Sequence, residues 1–239
     1  MTDVEDRGLV QIQRVAAPVR EQVLKQLRQA ILEMRLRPAQ RLVERELIEQ
    51  TGVSRTTIRE VLRQLAAEGL VTTIPHKGTV VASPSLKAAA ELYEVRAVLE
   101  GMAARQFAER ATEEHMARIR EAFAQIVASA EEEDAAGPAM LEAKKLFYDA
   151  LFDGAVNETL QAILQGLQAR VMVLRRASLA QPGRPARTVE EVREIVRALE
   201  ARDPERAAAA CVDHVNQAAR TILEAMTTTD GDDHERSTP

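Results

Sequence analysis

The sequence predicts a mainly α-helical chain in two units: a small helical unit closed by a β-hairpin, then an antiparallel bundle of six helices. Three observations carry that expectation. Hydrophobic residues make up 46% of the chain but aromatics only 3%, with no Trp, so the cores are built from Ala, Leu and Val, which suits packed helices. Helical periodicity is almost unbroken from residue 86 to residue 227. Charge also steps near residue 85: the first 85 residues hold 13 Lys/Arg against 10 Asp/Glu, whereas the whole chain of 239 holds 32 against 37. The acidic excess therefore belongs to the second unit, and the length leaves room for two cores.

The opening "MTDVEDRG" has too little apolar surface to repay ordering, so residues 1–17 are expected to be flexible. It lacks the basic-then-apolar order of a signal peptide, no apolar run approaches the roughly 18–20 residues of a membrane span, and the single Cys211 excludes an internal disulfide. A cytoplasmic protein with no membrane partner is expected. From Pro18 onward Val19, Val23, Leu24, Leu27 and Ile31 recur at helical spacing, with Pro38 beyond the run, which predicts an amphipathic helix ending near Leu36. "VERELIEQ" (Val43 to Gln50) predicts a short second helix, "TGVS" a turn with Gly52 as its permissive residue, and Ser54 the cap of a third helix running to Glu68. The β-branched runs Val71–Ile74 and Thr79–Ala82 flank "PHKG", the pattern of a hairpin with Gly78 in its turn. Residues 18–82 thus read as a winged helix-turn-helix.

"SPS" at 83–85 reads as a linker. Beyond it the periodicity is interrupted near Ala135–Ala139, Asp153–Asn157, Gln181–Ala186 and Asp203–Pro204, and six helices are expected. Each has an apolar stripe to bury, such as Leu92, Val95 and Leu99, or Ile163, Leu167, Val171 and Leu174, or Val192, Ile195 and Leu199, so residues 86–227 form an antiparallel bundle. Residues 228–239 are too polar to pack and are expected to be a flexible tail.

The third helix carries the first functional pattern. Ile58, Leu62 and Leu65 direct one stripe inward and leave Arg55, Arg59 and Arg63 on another. Ser54, Thr56 and Thr57 stand at the positive end of the helix dipole, so short hydroxyl donors and guanidinium forks meet where phosphate oxygens and guanine edges are best received. A charge run alone is more often a solvated face. Here the preceding short helix, the tight turn and the hairpin, whose His76 and Lys77 can reach an adjoining groove, favour double-stranded DNA as the partner.

Those residues carry a resemblance. "RLRPAQRLVERELIEQTGVSRTTIREVLRQLAAEGLVTTIPHKGTVV" resembles the winged helix of the GntR transcriptional regulators, and the helical remainder, opening with "ELYEVRAVLEGMAARQFAER", resembles the effector-binding and dimerising FCD domain of their FadR subgroup. The resemblance implies DNA contacts from Arg45, Ser54, Arg55, Thr56, Thr57 and Arg59, with His76, Lys77 and Gly78 in the wing. The family usually has Gly after the Pro of "RPAQ"; Ala39 here is expected to alter a turn and leave the DNA surface unchanged.

The resemblance also implies, in many FCD domains, a divalent metal held by an Asp and a His four apart on one helix and by two His on later helices. This chain departs from that set, placing Lys144 at the Asp, Tyr148 at the first His and Val192 at the second, so that only His214 remains. Of its four His, only His115 and His214 fall in the bundle, so a three-His site cannot be built in one chain. No metal or other cofactor is expected. Lys144 instead suggests a direct cation for a carboxylate or phosphate, with Tyr148 as hydrogen-bond donor and Val192 as an apolar wall. Arg96 is either a second cation for the same anion or the salt-bridge partner of Glu100 at i+4. Arg170 is a weaker pocket candidate, since a mid-bundle Arg often reaches the surface. Gly101 and Gly166 lie inside helices, where close helix approach or ligand space would account for them.

The resulting expectation is a ligand-responsive DNA-binding repressor, acting as a homodimer on a palindromic operator and modulated by a small anionic effector, a carboxylate or acyl compound. The alternative is a DNA-binding protein whose bundle only dimerises. An enzyme is not expected: no paired His and carboxylate, nucleophile elbow or phosphate-binding Gly loop occurs, and Cys211 reads as a small core residue.

Overall fold

The computed structural model describes residues 17–32 and 35–235. The first unit comprises α1 (Ala17–Leu32), α2 (Glu44–Thr51), α3 (Arg55–Ala67), β1 (Val71–Ile74) and β2 (Gly78–Val81). The second comprises α4 (Leu86–Arg110), α5 (Glu113–Ala130), α6 (Pro138–Gly154), α7 (Glu158–Leu179), α8 (Arg184–Glu200) and α9 (Pro204–Glu235). The architecture is therefore a winged helix-turn-helix followed by a helical bundle. Two boundaries differ from expectation. The first helix ends at Leu32 and not near Leu36, which stands in a bend. The last helix continues past residue 227 to Glu235, through the segment read as a tail. The N-terminal residues 1–16 and the last four lie outside the described residues.

In the first unit the apolar faces of α1 and α3 close over Leu42, Leu47, Leu70 and Val71, with Ile58 and Leu65 fully buried. Gly52 ends α2 at φ 69 and donates its N–H to the Ile48 carbonyl, which lets the chain reverse within the two residues before Ser54. Ser54 Oγ then accepts from the Thr57 N–H at 3.2 Å and caps α3. β1 and β2 pair antiparallel, Val71 opposite Val81 and Ile74 opposite Gly78, and Arg41 adds a single bridge to Val80 that ties the loop after α1 to the wing.

In the bundle α4 packs most extensively on α9. Gly101 permits that approach, since a Cβ there would stand 2.7 Å from Val212 Cγ2. Gly166 has nothing within 4 Å and faces outward beside the half-exposed Ile163, so close packing within the chain does not explain it. One helix boundary carries neither Gly nor Pro: between α4 and α5, Thr112 and His115 form a reciprocal capping box, His115 Nδ1 accepting from the Thr112 N–H at 3.1 Å. Val95, Val98 and Met102 of α4 are 49%, 67% and 43% exposed, an apolar row at i, i+3 and i+7 that the chain itself leaves uncovered. Among the described residues no helix is long and apolar enough to cross a membrane.

Ala39 sits at φ 62 and donates its N–H to the Val81 carbonyl at 3.0 Å. The alanine thus occupies a left-handed position, which costs a residue with a Cβ roughly 1–2 kcal/mol. Ala39→Gly is expected to raise stability by about 0.5–1 kcal/mol after the extra chain entropy of Gly is offset, checked by urea denaturation, with DNA affinity unchanged.

Candidate functional site

Two sites emerge. On α3, Ser54, Arg55, Thr56 and Arg59 are exposed and Thr57 is half-buried, its hydroxyl 2.9 Å from that of Ser54. Arg59 lies 3.6 Å from Glu44, and Arg45 lies 3.7 Å from Glu49 on the exposed face of α2. Such exposed pairs hold their cations weakly and release them readily to a polyanion. His76 at φ 64, Lys77, and Gly78 at φ 80 form the exposed tip of the hairpin. Between α3 and the wing runs an open groove of about 440 Å³ bordered by Arg41, Glu44, Arg59, Arg63, Thr73 and Gly78. Arg41 escaped the sequence reading because it lies in a connecting loop, where no periodicity gives a side chain its direction. Arg63 belonged to the outward stripe but not to the expected DNA contacts.

The second site is inside the bundle. Arg96, Lys144, Arg175 and Arg184 are all buried, 5% exposed or less, beside the buried Glu100 and the half-buried Glu191. Arg96 bonds Glu100 through Nε at 2.8 Å and stands 4.6 Å over the Tyr93 ring. Arg184 makes a two-pronged bond to Glu191, both contacts at 2.8 Å. Glu191 Oε2 also lies 2.6 Å from His214 Nδ1, and His214 Nε2 lies 2.8 Å from Lys144 Nζ. With the carboxylate on Nδ1, that nitrogen carries the proton and Nε2 accepts from Lys144. Arg175 has a different environment: its guanidinium stacks 4.6 Å from the Tyr148 ring, and its Nη1 makes no hydrogen bond within the protein. The hydroxyls of Tyr93, Tyr148 and Thr188 and Nε of Arg184 are likewise unpaired. Of these residues Tyr93, Arg96, Lys144, Arg175, Arg184, Thr188 and His214 line a cavity of about 10 Å³ together with Ser178, Leu179 and Ala218, room for about one water molecule.

Burial dominates the protonation states. It pushes Lys144 well below its ordinary value, aided by Arg175, Arg184 and Arg96, and lowers His214 to about 3, aided by Lys144. Burial works to raise the Glu191 carboxyl, but hydrogen bonds from His214 and Arg184 outweigh it and hold the group at about 2. Burial opposes the Arg96 charge, and Glu100 overcomes that and raises its pKa. The same desolvation lowers Arg175, with Arg96 adding to the shift and Tyr148 and Glu100 opposing it, and raises Tyr148. Lys144 is therefore the cation most easily deprotonated, and Arg175 is the one without an ion pair of its own.

Residues 19–81 match the family model described as bacterial regulatory proteins, gntR family, and residues 91–217, more than half of the chain, match that of the FCD domain. The chain belongs to the GntR family of transcriptional regulators. Its similarity to the "Probable D-xylose utilization operon transcriptional repressor" of Paenarthrobacter nicotinovorans is 34% identity over 202 residues, 84% of this chain and 85% of that one. The Nta operon transcriptional regulator of Aminobacter aminovorans is 32% identical over 139 residues, 58% of this chain and 65% of that one. Among solved structures, E. coli McbR/YncC superposes with a TM-score of 0.74 at 22% identity, over 88% of this chain and 99% of that one, which bears on the fold. The family and these relatives are regulators, not enzymes.

This GntR protein brings together four of the bundle residues expected from sequence: Arg96, Lys144 and His214 line the cavity, and Tyr148 lies under Arg175 with its ring 5.6 Å from Lys144 Nζ. Val192 is buried, but its neighbour Glu191 supplies the contact to His214. Arg170 is not in the cavity; it is exposed and lies against Gly69 of the winged unit. Arg96 does pair with Glu100, and it also borders the cavity. The donors do not fit the metal found in many FCD domains: the His214 nitrogen that would face an ion faces Lys144, and no three His, Cys, Asp or Glu among the described residues are grouped to hold one.

The protonation states set a pH response. A His held at about 3 when folded stays neutral while the unfolded chain, with His near 6.5, takes up a proton, so stability falls as pH drops below about 6.5. Glu191, at about 2 when folded, adds stability above the ordinary carboxylate range that is lost as pH falls through it. The melting temperature is expected to decline between about pH 6.5 and 4.5, as His214 lowers the unfolding free energy by at most about 1.4 kcal/mol per pH unit. His214→Gln should flatten that segment; an unchanged slope assigns the loss to other groups.

Proposed function

We propose that the protein is a repressor that binds a palindromic operator as a homodimer and is modulated by a small anionic effector held in the bundle without a metal. The observation that carries the effector reading is the cavity wall: Arg96, Lys144, Arg175 and Arg184 line it with no carboxylate among the lining residues, Arg96 and Arg184 are paired to Glu100 and Glu191 behind it, Arg175 has no ion pair, and further hydrogen-bonding groups are unpaired. An anion brings both the missing charge and the missing acceptors. It must also prefer one arrangement of the DNA-binding units, since equal affinity for both shifts nothing. The DNA reading is supported by the exposed cations of α3 and the groove beside the wing. The dimer reading is supported by the apolar row Val95, Val98 and Met102 on α4, which a second copy would cover, and by two-fold symmetry as the simplest way to double a short recognition helix. A second reading, in which the bundle only dimerises, draws on the cavity's volume of about 10 Å³, too small for any effector unless Arg175 or Lys144 moves.

Arg55→Ala and Arg59→Ala are each expected to weaken operator binding by roughly 1–3 kcal/mol, measured by fluorescence anisotropy, with melting temperature unchanged. Val98→Glu, which puts a charge in the apolar row, is expected to yield a monomer by light scattering; a dimer of undiminished strength moves the interface elsewhere. Thermal denaturation with small carboxylates and acyl compounds decides between the two readings of the bundle. The effector reading expects a rise in melting temperature with a carboxylate that is lost in Lys144→Ala; no rise with any anion establishes the bundle as a dimeriser.

A further inference from the structure

One helix serves both units. The C-terminal half of α7 lines the cavity through Arg175, Ser178 and Leu179. Two residues before Arg175, Val173 is buried in the core of the winged unit together with residues of α1 and α3. Arg170 lies against Gly69, the residue at φ 73 that ends the recognition helix, so closely that a Cβ on Gly69 would stand 2.3 Å from Arg170 Nε. Glu68, the C-cap of α3, is clamped by Arg28 of α1 at 2.6 and 2.9 Å. The end of the helix that faces DNA is thus gripped from two sides, and one grip comes from α7.

The path between cavity and grip is short and stiff. Arg170 and Arg175 are about 7–8 Å apart along the helix axis. No Gly or Pro lies between Arg170 and Leu179 to act as a joint. Arg175 is also the cation freest to respond to an anion. Arg96 and Arg184 are tied by paired bonds to Glu100 and Glu191, whereas Arg175 has only the Tyr148 ring and an unpaired Nη1.

We infer that α7 couples the two sites: an anion entering the cavity engages Arg175, and the resulting shift of α7 reaches the C-terminal end of α3 through Val173 and Arg170. This rests on the effector reading above and adds the anchor and the route. Arg175 receives the anion as a two-pronged guanidinium contact, and the packed contacts at Val173 and Gly69 turn its movement into a change of recognition-helix position. Because Val173 is buried in the winged unit's core and Arg170 packs on Gly69, a shift of α7 is felt at the end of α3.

The test uses hydrogen exchange of amides 66–70 in the full chain. Without any added anion, Arg175→Gln removes the uncompensated charge and is expected to change exchange at the end of α3 by at least about twofold. Adding Arg170→Ala should diminish that change, Val173 carrying the remainder; identical exchange in wild type and Arg175→Gln overturns the coupling. Malonate and inorganic phosphate are then added as probes. Wild type is expected to gain thermal stability and altered exchange at 66–70, Arg175→Gln to gain neither, and Arg170→Ala to gain stability with a diminished exchange response. Stabilisation that survives in Arg175→Gln refutes the anchor, and an undiminished exchange response in Arg170→Ala refutes the route. If neither probe stabilises wild type, the effector reading is what fails, and the anion-free comparison still decides the role of α7.

Discussion

The bundle is organised around a surplus of buried positive charge. Four cations share a space with two carboxylates, and moving each ion out of water costs several kcal/mol that only close pairing can offset. Three of the four find a solution. Arg96 and Arg184 each take a carboxylate fork, and Lys144 is driven toward its neutral form, in which its nitrogen bonds His214. That solution constrains everything nearby: Glu191 must stay ionised to hold both Arg184 and His214, His214 must stay neutral to accept from Lys144, and α6, α8 and α9 are locked by one chain of hydrogen bonds. Arg175 is the remainder, stabilised by the face of Tyr148, an interaction worth about 2 kcal/mol or somewhat more when desolvated.

A metal ion and a lysine impose different conditions on such a site. An ion keeps its charge and demands several fixed donors, whereas Lys144 can shed its proton and demands only one acceptor. Lys144 and Tyr148, at the positions where the resemblance implies acid and imidazole ligands, therefore offer hydrogen-bonding groups held by side-chain packing in place of ligands to an ion. The unpaired groups around the cavity, Arg175 Nη1, Arg184 Nε and three hydroxyls, are all able to donate. What complements them is rich in acceptors, and eight of the ten lining residues carry polar groups, Leu179 and Ala218 being the exceptions. Under the proposed effector reading, an oxygen-rich anion satisfies these donors and an alkyl chain does not.

The winged unit was legible in the sequence because its determinants are local. Ser54 lies next to the helix it caps, Ile58, Leu62 and Leu65 define the buried stripe of α3 by spacing alone, and β-branched runs flank the hairpin turn. The bundle cavity is assembled from five helices, and spacing within one helix does not say what stands across from it. Arg184 lay in "QPGRPA", which reads only as a break, and Glu191 was one position from the expected Val192, a rotation of about 100° that exchanges an apolar wall for a carboxylate. Arg170 illustrates the same limit from the other side. It is five residues from Arg175, hence about 140° around the helix, so the two arginines cannot both face the cavity, and nothing in the local pattern chooses between them. A usable signal was present: Arg175 falls one turn after Val171 on an otherwise apolar stripe, where a charge has to be paired or functional.

The same geometry explains why α7 can hold two roles without compromise. Its cavity face carries polar groups that respond to charge, and its opposite face carries Val173 and Arg170, which respond to shape. Dispersion contacts such as that of Arg170 on the Gly69 backbone weaken steeply with separation, so a shift of α7 by even a fraction of an ångström is either followed by the end of α3 or breaks the contact. Packed interfaces of this kind favour discrete arrangements over continuous deformation. Gly69, at φ 73 and packed against Arg170, is thus where the left-handed turn that ends α3 and the contact between the two units meet.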